Sequence, residues 1–584
     1  MQSFKIKKRS GTYSELLETY GLANLLNKIF NIQNSYDVDI CICKNEDYSY
    51  EIKLSQPLTD KILDNISYFP LFKYIKRESG SDVSDYADFF DYPELKQWKK
   101  ERQELLNQIY KDNKGVENKW EREKRIKEVE FVFEKERIIP KELDVISQII
   151  TPNNFPGFEK LYQNFFVNKQ NFPLLIKEII NYYLDDINYN GKEFDKNIKS
   201  LPFNKNVTAT QLYNPSQGQG VNKIKADGLN RKNFDSLWIC ESMKISGALS
   251  DMICQVVKVG KSYDLKIFVP EYKEVGYSYK NTLISDFKKY LKGNTPIKID
   301  ILNILLLTQK VIEHSGYSKH PWNTKDIVTG LHSVYQKDLG QNKAVVNIGF
   351  IQVPDFIEIK SEEDVEIWVG ILKEQISIIG SISEMGDTTQ GLLLYRDFIS
   401  GSNIESFFKF SYWYAMYLST QLSNKKYARA FSVETLNKFY INMENKLNLS
   451  EIITNKGFLA VANAIRKSTV SLQYTPKDAR KYEIRYGVAQ TLQNKSKTKD
   501  DLAEFVGDFI ATYNAETARK TEKTGHSFRS NVREDELAEF YTLLDNASSK
   551  IMGALLASYG FALPAKVVGA NDKEDNFIDN ETEE

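Results

Sequence analysis

At 584 residues the chain has material for several domains, and its 41% hydrophobic and 27% charged content is that of a globular protein with sizeable cores. A formal net charge of −1 excludes a uniformly basic nucleic-acid binder, so any such surface must come from local patches. Four cysteines (Cys41, Cys43, Cys240, Cys254) with no C-x-x-C pair argue against a disulfide framework or a zinc knuckle. They point to a reducing cytoplasm, and neither metal nor cofactor is expected. Met1 is followed by polar and basic residues and not by an apolar signal sequence. The longest apolar run, Ile299–Leu307, is too short to span a bilayer, so no membrane partner is expected.

In chain order, the basic Lys5-Ile6-Lys7-Lys8-Arg9 reads as a solvated terminus. Ser14–Phe30 has helical spacing of Leu16, Leu17, Tyr20, Leu25, Leu26 and Ile29, with Ser14 placed to cap it. Val38–Cys43 and Tyr48–Leu54 read as a hairpin. Pro93–Glu142 alternates Lys and Glu, as a long solvated helix or two would. Phe155–Leu184 is aromatic-rich and helical, with Phe172, Leu175, Ile176, Ile179, Ile180 and Leu184 facing a core.

The stretch Tyr213–Trp238 differs in chemistry. Asn214-Pro215 starts a turn, and Gly218 and Gly220 free the backbone to approach a partner. The wider segment 204–232 holds Lys205, Lys223, Lys225, Arg231 and Lys232 against a single acid, Asp227. Asn214, Gln217, Gln219 and Asn222 suit base edges, while Lys223, Lys225 and Lys232 suit phosphates. An ordinary polar surface loop is the other reading.

Beyond it, Phe234–Met252 is helical or mixed, and Met252–Val259 pairs with Tyr263–Val269 around Gly260-Lys261. Gly260-Lys261-Ser262 resembles the end of a phosphate-binding loop, but Gln255 stands where that motif needs glycine and a strand follows where it needs a helix. Lys280–Lys292, Ile299–Glu313 and Glu362–Ile379 are expected helices, and Ala344–Glu358 a strand. Gly380, Gly386, Gly391 and Gly401 mark a boundary. From Ile404 onward the expected helices are Ile404–Ser423, Val433–Leu447, Ser450–Gln473, Lys477–Lys495, Asp500–Ala518 and Arg533–Tyr559. Lys425 to Arg533 carries 20 Lys and Arg against 11 Asp and Glu. Asp572–Glu584 is acidic and reads as a disordered tail.

The expected fold is therefore α+β. A mixed body with small antiparallel sheets and many helices (1–380) is followed by a linker (381–403), an all-α bundle (404–569) and the tail (570–584). No catalytic set stands out. None of His314, His320, His332 or His526 lies in a metal-binding or triad-like motif, and there is no G-x-S-x-G.

Two stretches carry a resemblance. One is Tyr213–Trp238, with Asn214-Pro215-Ser216, Gly218-Gln219-Gly220 and Lys225-Ala226-Asp227-Gly228 in order. The other is Gly457–Tyr486, where GFLAVANAIRKSTV precedes the YEIRYG of Tyr482–Gly487. Together they resemble the large subunit (Cas-eight family) of type I CRISPR Cascade complexes, in the I-B-like branch of cyanobacteria and myxobacteria. The resemblance implies a non-enzymatic, cytoplasmic protein that reads the protospacer-adjacent motif (PAM) on duplex DNA and holds the displaced strand. Its implied partners are guide CRISPR RNA, target double-stranded DNA, Cascade backbone and small subunits, and a helicase–nuclease or transposition proteins. Guide pairing supplies sequence specificity, so such a protein need only read a short motif and grip backbones. The strand-path residues would be Arg466, Lys467, Arg480, Lys481 and Arg485, unless helix-face acids such as Asp478 and Glu483 pair with them. Some I-B-like systems supply their small subunits by internal translation of the large-subunit gene; if the resemblance extends to this, Met443, ahead of Met385 and Met416, is the expected start here. The rival readings are a metal-dependent nucleic-acid enzyme and a purely protein-binding helical scaffold.

Overall fold

The structure is a computed structural model. It describes residues 2–32, 38–44, 48–112, 125–126, 128, 142–184, 190–205, 207, 210–217, 237–260, 262–317, 320–340, 343–443 and 448–564. The chain divides into two compact units, Met1–Lys360 and Ser361–Glu584. The fold is α+β, with small, mostly antiparallel sheets among helices in the first unit and helices throughout the second.

The first unit is built around a crossing of two buried helices, Ser14–Ile32 and Trp238–Asp251. Gly21 and Gly247 lie at the crossing. A Cβ on Gly21 would fall on the Met243 carbonyl, and one on Gly247 on the Leu17 carbonyl. Only glycine lets the two backbones touch there.

Two four-stranded antiparallel sheets flank the crossing. In the first, the spatial order is Gln2–Lys7, Ser49–Leu54, Ile40–Lys44 and Glu274–Gly276. The terminus read as solvated is thus a strand: Phe4 and Ile6 alternate inward and are buried, Lys8 lies over the Tyr50 ring, and Arg9 pairs with Glu18 at 2.7 Å. Period-two alternation was present but hidden by the lysines between the apolar positions. The second sheet runs Lys343–Gln352, Val328–Asp338, Ser262–Tyr272 and Ile253–Val259. Its Val328–Asp338 strand was not expected from sequence. It starts with a register shift at Val328/Gly330, where a Cβ on Gly330 would strike the Ile351 carbonyl. The chain passes between the two sheets through a single residue, Lys273, from Tyr272 to Glu274. The Pro93–Glu142 stretch begins as the helix Tyr92–Asp112; most of 113–142 lies outside the described residues.

The second unit begins some twenty residues before the expected boundary, with Ser361 capping the helix Glu362–Ser381 through a reciprocal bond with Asp364. The 381–403 linker is corrected as well: it contains the helix Thr388–Gly401, whose Gly391 lies flat against the Trp413 ring. Ile404–Ser423 is as expected, and Val433–Asn442 ends earlier than expected. Ser450–Gln473 breaks into Leu449–Thr454, Lys456–Ser468 and Val470–Tyr474, at Asn455 and Thr469, side chains that compete for helical backbone groups. Residues 480–487 are not helical; the next helix, Val488–Lys495, starts after Gly487 at φ 77°. Lys499–Thr524, Glu534–Asn546 and Ser549–Gly560 complete the unit. Its core is aromatic: Tyr395, Phe398, Phe407, Phe410, Phe439 and Tyr440 pack edge-on or tilted, and Tyr559 stacks on Tyr440 at 6.0 Å. Met443, buried at the end of Val433–Asn442, follows Tyr440, so a product starting there lacks the ring on which Tyr559 rests. The acidic tail lies outside the described residues.

Candidate nucleic-acid interface

The central segment is rooted in the helix crossing. Tyr13 Oη donates to the Leu212 carbonyl at 2.8 Å and Ser14 Oγ to the Tyr213 carbonyl at 2.9 Å. Asn214, with 2% of its surface exposed, donates through Nδ2 to Glu241 (2.8 Å) and accepts from Lys244 Nζ (2.8 Å). Lys244 also donates to Glu241 at 2.7 Å. Burial acts against the charge on Lys244, but Glu241, Glu18 and Cys240 together outweigh it and hold the ammonium above its ordinary pKa.

Asn214 is therefore corrected from base reader to root residue: its amide is consumed inside the fold. The acid and lysine that consume it lie in the next helix, where their i, i+3 spacing reads as an ordinary surface pair. At the far end Trp238 is buried against Phe165, Phe194 and Phe203. Gln217 ends a short 3₁₀ turn. Its side chain, and Gln219, Asn222, Lys223, Lys225 and Lys232, lie outside the described residues. Lys205 pairs with Asp195 at 3.0 Å.

In the second unit, the structure separates the strand-path residues. Arg466 points inward: it is buried, donates from Nη2 to the Tyr559 carbonyl at 2.8 Å, and burial lowers its pKa. It is corrected from phosphate ligand to helix tie. Arg485 is half-buried over the Phe509 ring, 3.4 Å from Glu516, and burial shifts it down. Arg480 is half-buried and donates from Nε to the Thr475 carbonyl at 2.9 Å. Lys467 is half-buried, and Lys481 is exposed, 5.5 Å from the Phe528 ring. Among the described residues none of these five pairs with Asp478 or Glu483.

Residues that sequence reasoning passed over join them. Arg529 is sandwiched between the Tyr482 and Tyr513 rings at 3.8 and 3.9 Å, and bonds Thr517, the Tyr513 carbonyl and Glu516. This clamp holds the irregular 480–487 segment to the Lys499–Thr524 helix. Arg485 N donates to the Ser468 carbonyl at 2.9 Å and ties the same segment to the end of the Lys456–Ser468 helix. Tyr474 Oη accepts from Ala430 N at 3.2 Å and donates to the Ala428 carbonyl, which brings the exposed Lys425, Lys426, Tyr427 and Arg429 beside it. The Tyr-Glu-Ile-Arg-Tyr run of Tyr482–Tyr486 was a signal for one side of the Arg529 clamp, and nothing local marked Arg529 as the other.

Two of the histidines serve ion-pair clusters. His314 Nε2 is 3.2 Å from Asp286, which Lys310 also reaches, and His332 Nε2 is 2.9 Å from Glu271. Among the described residues one group, Cys41, Cys43 and Glu274, has donor spacing suited to a metal ion. No described helix is long and apolar enough to cross a membrane. No protein-family model matches the chain, and no curated protein matches it significantly.

Proposed function

We propose that the chain is the non-catalytic large subunit of a cytoplasmic, RNA-guided type I CRISPR complex. In this reading the second unit grips single-stranded DNA, and residues 204–232 read the PAM on the duplex. The observation that carries it is the interleaving of exposed rings with cations on the second unit. Tyr427, Tyr474, Tyr486 and Phe528 are 57%, 39%, 63% and 43% exposed. Lys425, Lys426, Arg429, Lys477 and Lys481 are exposed among them. Base-stacking rings beside phosphate-pairing cations are what a sequence-tolerant single-strand surface requires. Guide RNA, Cascade backbone and small subunits, and a helicase–nuclease or transposition proteins are the partners that go with it.

The test is fluorescence anisotropy of the full chain on labelled single-stranded DNA over a salt series. Affinity falls steeply with salt, and Tyr486→Ala and Phe528→Ala each weaken binding by ~1–3 kcal/mol where a base is stacked. Replacing Lys425, Lys426, Lys477 and Lys481 together flattens the salt slope. Affinity and slope unchanged in all of these variants overturn the reading, and metal-dependent cleavage of the probe establishes the enzymatic rival instead.

A further inference from the structure

The outer face of the N-terminal sheet carries a second, separate chemistry. Cys41 and Cys43 lie two apart on the strand Ile40–Lys44, so both thiols project from one face while Ile40 and Ile42 fill the core on the other. The neighbouring strand Glu274–Gly276 pairs with this one in the register Cys41↔Gly276, Ile42↔Val275, Cys43↔Glu274. That register sets the Glu274 carboxylate beside the two sulfurs.

The distances are those of a coordination site. The Sγ atoms are 3.6 Å apart, and Cys41 Sγ is 3.9 Å from Glu274 Oε1; all three donor atoms fall within 4.8 Å of one another. Tetrahedral zinc with Zn–S of about 2.3 Å requires a sulfur–sulfur edge of about 3.8 Å. The sulfurs need move by only tenths of an ångström. Lys53, opposite Cys41 on the strand Ser49–Leu54, places a cation next to the two sulfurs and the carboxylate. Cys43 is buried, Cys41 half-buried and Glu274 exposed, so an ion can enter from the Glu274 side and keep a fourth position for water.

We propose that Cys41, Cys43 and Glu274 bind one thiophilic divalent cation of the zinc class. Two thiolates select such an ion over magnesium or calcium, which prefer oxygen. Binding replaces two S–H bonds with two metal–sulfur bonds and releases two protons per ion. The ion bridges two strands joined by only a three-residue ladder and separated by more than 200 residues of chain. It thus staples the Glu274–Gly276 strand to the N-terminal sheet, just after the chain has left the other sheet at Tyr272.

The experiment titrates the reduced, metal-free full chain with cobalt(II), whose bonds to thiolate give a charge-transfer band and whose tetrahedral site gives intense visible bands. The wild type is expected to take up one cobalt with both features, to lose them when zinc is added, and to keep them in excess magnesium or calcium. Cys41→Ser and Cys43→Ser lose the charge-transfer band while retaining the far-UV dichroism of the metal-free wild type. Glu274→Gln keeps the band but binds roughly 10- to 100-fold more weakly. Zinc raises the melting temperature of the wild type and not of Cys41→Ser. No charge-transfer band in the wild type overturns the proposal, and so does a band that persists in the Cys41→Ser/Cys43→Ser variant. A cysteine variant that misfolds leaves Glu274→Gln to decide: affinity equal to wild type excludes the carboxylate as a ligand.

Discussion

The two units bury charge with different sets of partners. The first pairs ammonium with carboxylate deep in its core: Lys280 with Asp251, both fully buried, Lys244 with Glu241, and Lys266 with Asp300. The second buries guanidinium groups with more varied partners: Arg466 donates to the Tyr559 carbonyl, while Arg529 lies between the Tyr482 and Tyr513 rings, bonds Thr517 and the Tyr513 carbonyl, and pairs with the less buried Glu516. A buried ion pair depends on both partners, because removing one strands a charge in a medium that cannot solvate it. Arg529, held by two rings, a hydroxyl, a carbonyl and a carboxylate, keeps most of its contacts when one goes. Removing one partner of these buried lysine pairs is therefore expected to cost more than removing one contact of Arg529.

The sharpest break of this contrast is Asp251→Asn, which leaves Lys280 without its carboxylate. A loss of about 3–5 kcal/mol is expected in the first unit, measured by hydrogen exchange of its own amides under denaturant. Pairing it with Lys280→Met should restore most of that loss. Overpacking should act alike in both units: Gly21→Ala drives a methyl into the Met243 carbonyl and Gly457→Ala one into the Glu536 carbonyl. Each is expected to cost ~1–3 kcal/mol, read from the shift in denaturation midpoint of the unit concerned. If only one of them destabilises, the units differ in backbone compliance as well as in charge. Tyr482→Leu removes one face of the Arg529 sandwich and should cost the second unit no more than about 2 kcal/mol.

Acid should act with opposite sign on two buried carboxylates, one in each unit. Burial acts to raise the Glu271 carboxyl, but His332, Lys44 and Thr329 bond it and hold it well below the usual range. Its contribution is present above the unfolded value of about 4.3 and is lost as pH falls toward the folded pKa. In the second unit, burial raises Glu374 despite its bond from Ser432 N. The native state there takes up a proton before the unfolded chain, so this group favours folding as pH falls and disfavours it as pH rises through the raised pKa. Hydrogen exchange across pH 3 to 6, compared between the wild type and Glu271→Gln or Glu374→Gln, checks both slopes; changes of the same sign in the two variants would break the contrast.

Legibility followed how local the cause was. Ile404–Ser423 was readable to the residue because Asn403 caps it and its aromatics recur at helical spacing. The Ile253–Tyr272 hairpin declared itself through β-branched runs around Gly260. The glycines of 380–401 misled because Gly391 serves a ring contact with Trp413 and not a turn. The sites were less legible than the fold. Whether Asn214 or Arg466 faces a ligand or its own protein depends on Glu241, Lys244 and the Tyr559 carbonyl, partners set by tertiary contact. Cys41 and Cys43 gave no sequence signal, because their third companion is Glu274.

The glycine crossing also has a consequence for synthesis. The Ser14–Ile32 helix is buried along almost its whole length, yet the helix that covers it, Trp238–Asp251, is translated more than 200 residues later. At about 5–20 residues per second, the first helix leaves the ribosome on the order of ten seconds or more before its partner exists. Throughout that interval Leu16, Leu17, Leu25 and Leu26 have no Met243 or Ile245 to meet. The closest backbone approach in the first unit thus forms late in synthesis, and the bonds of Tyr20 to Pro270 and of Asn24 to Tyr277 form later still.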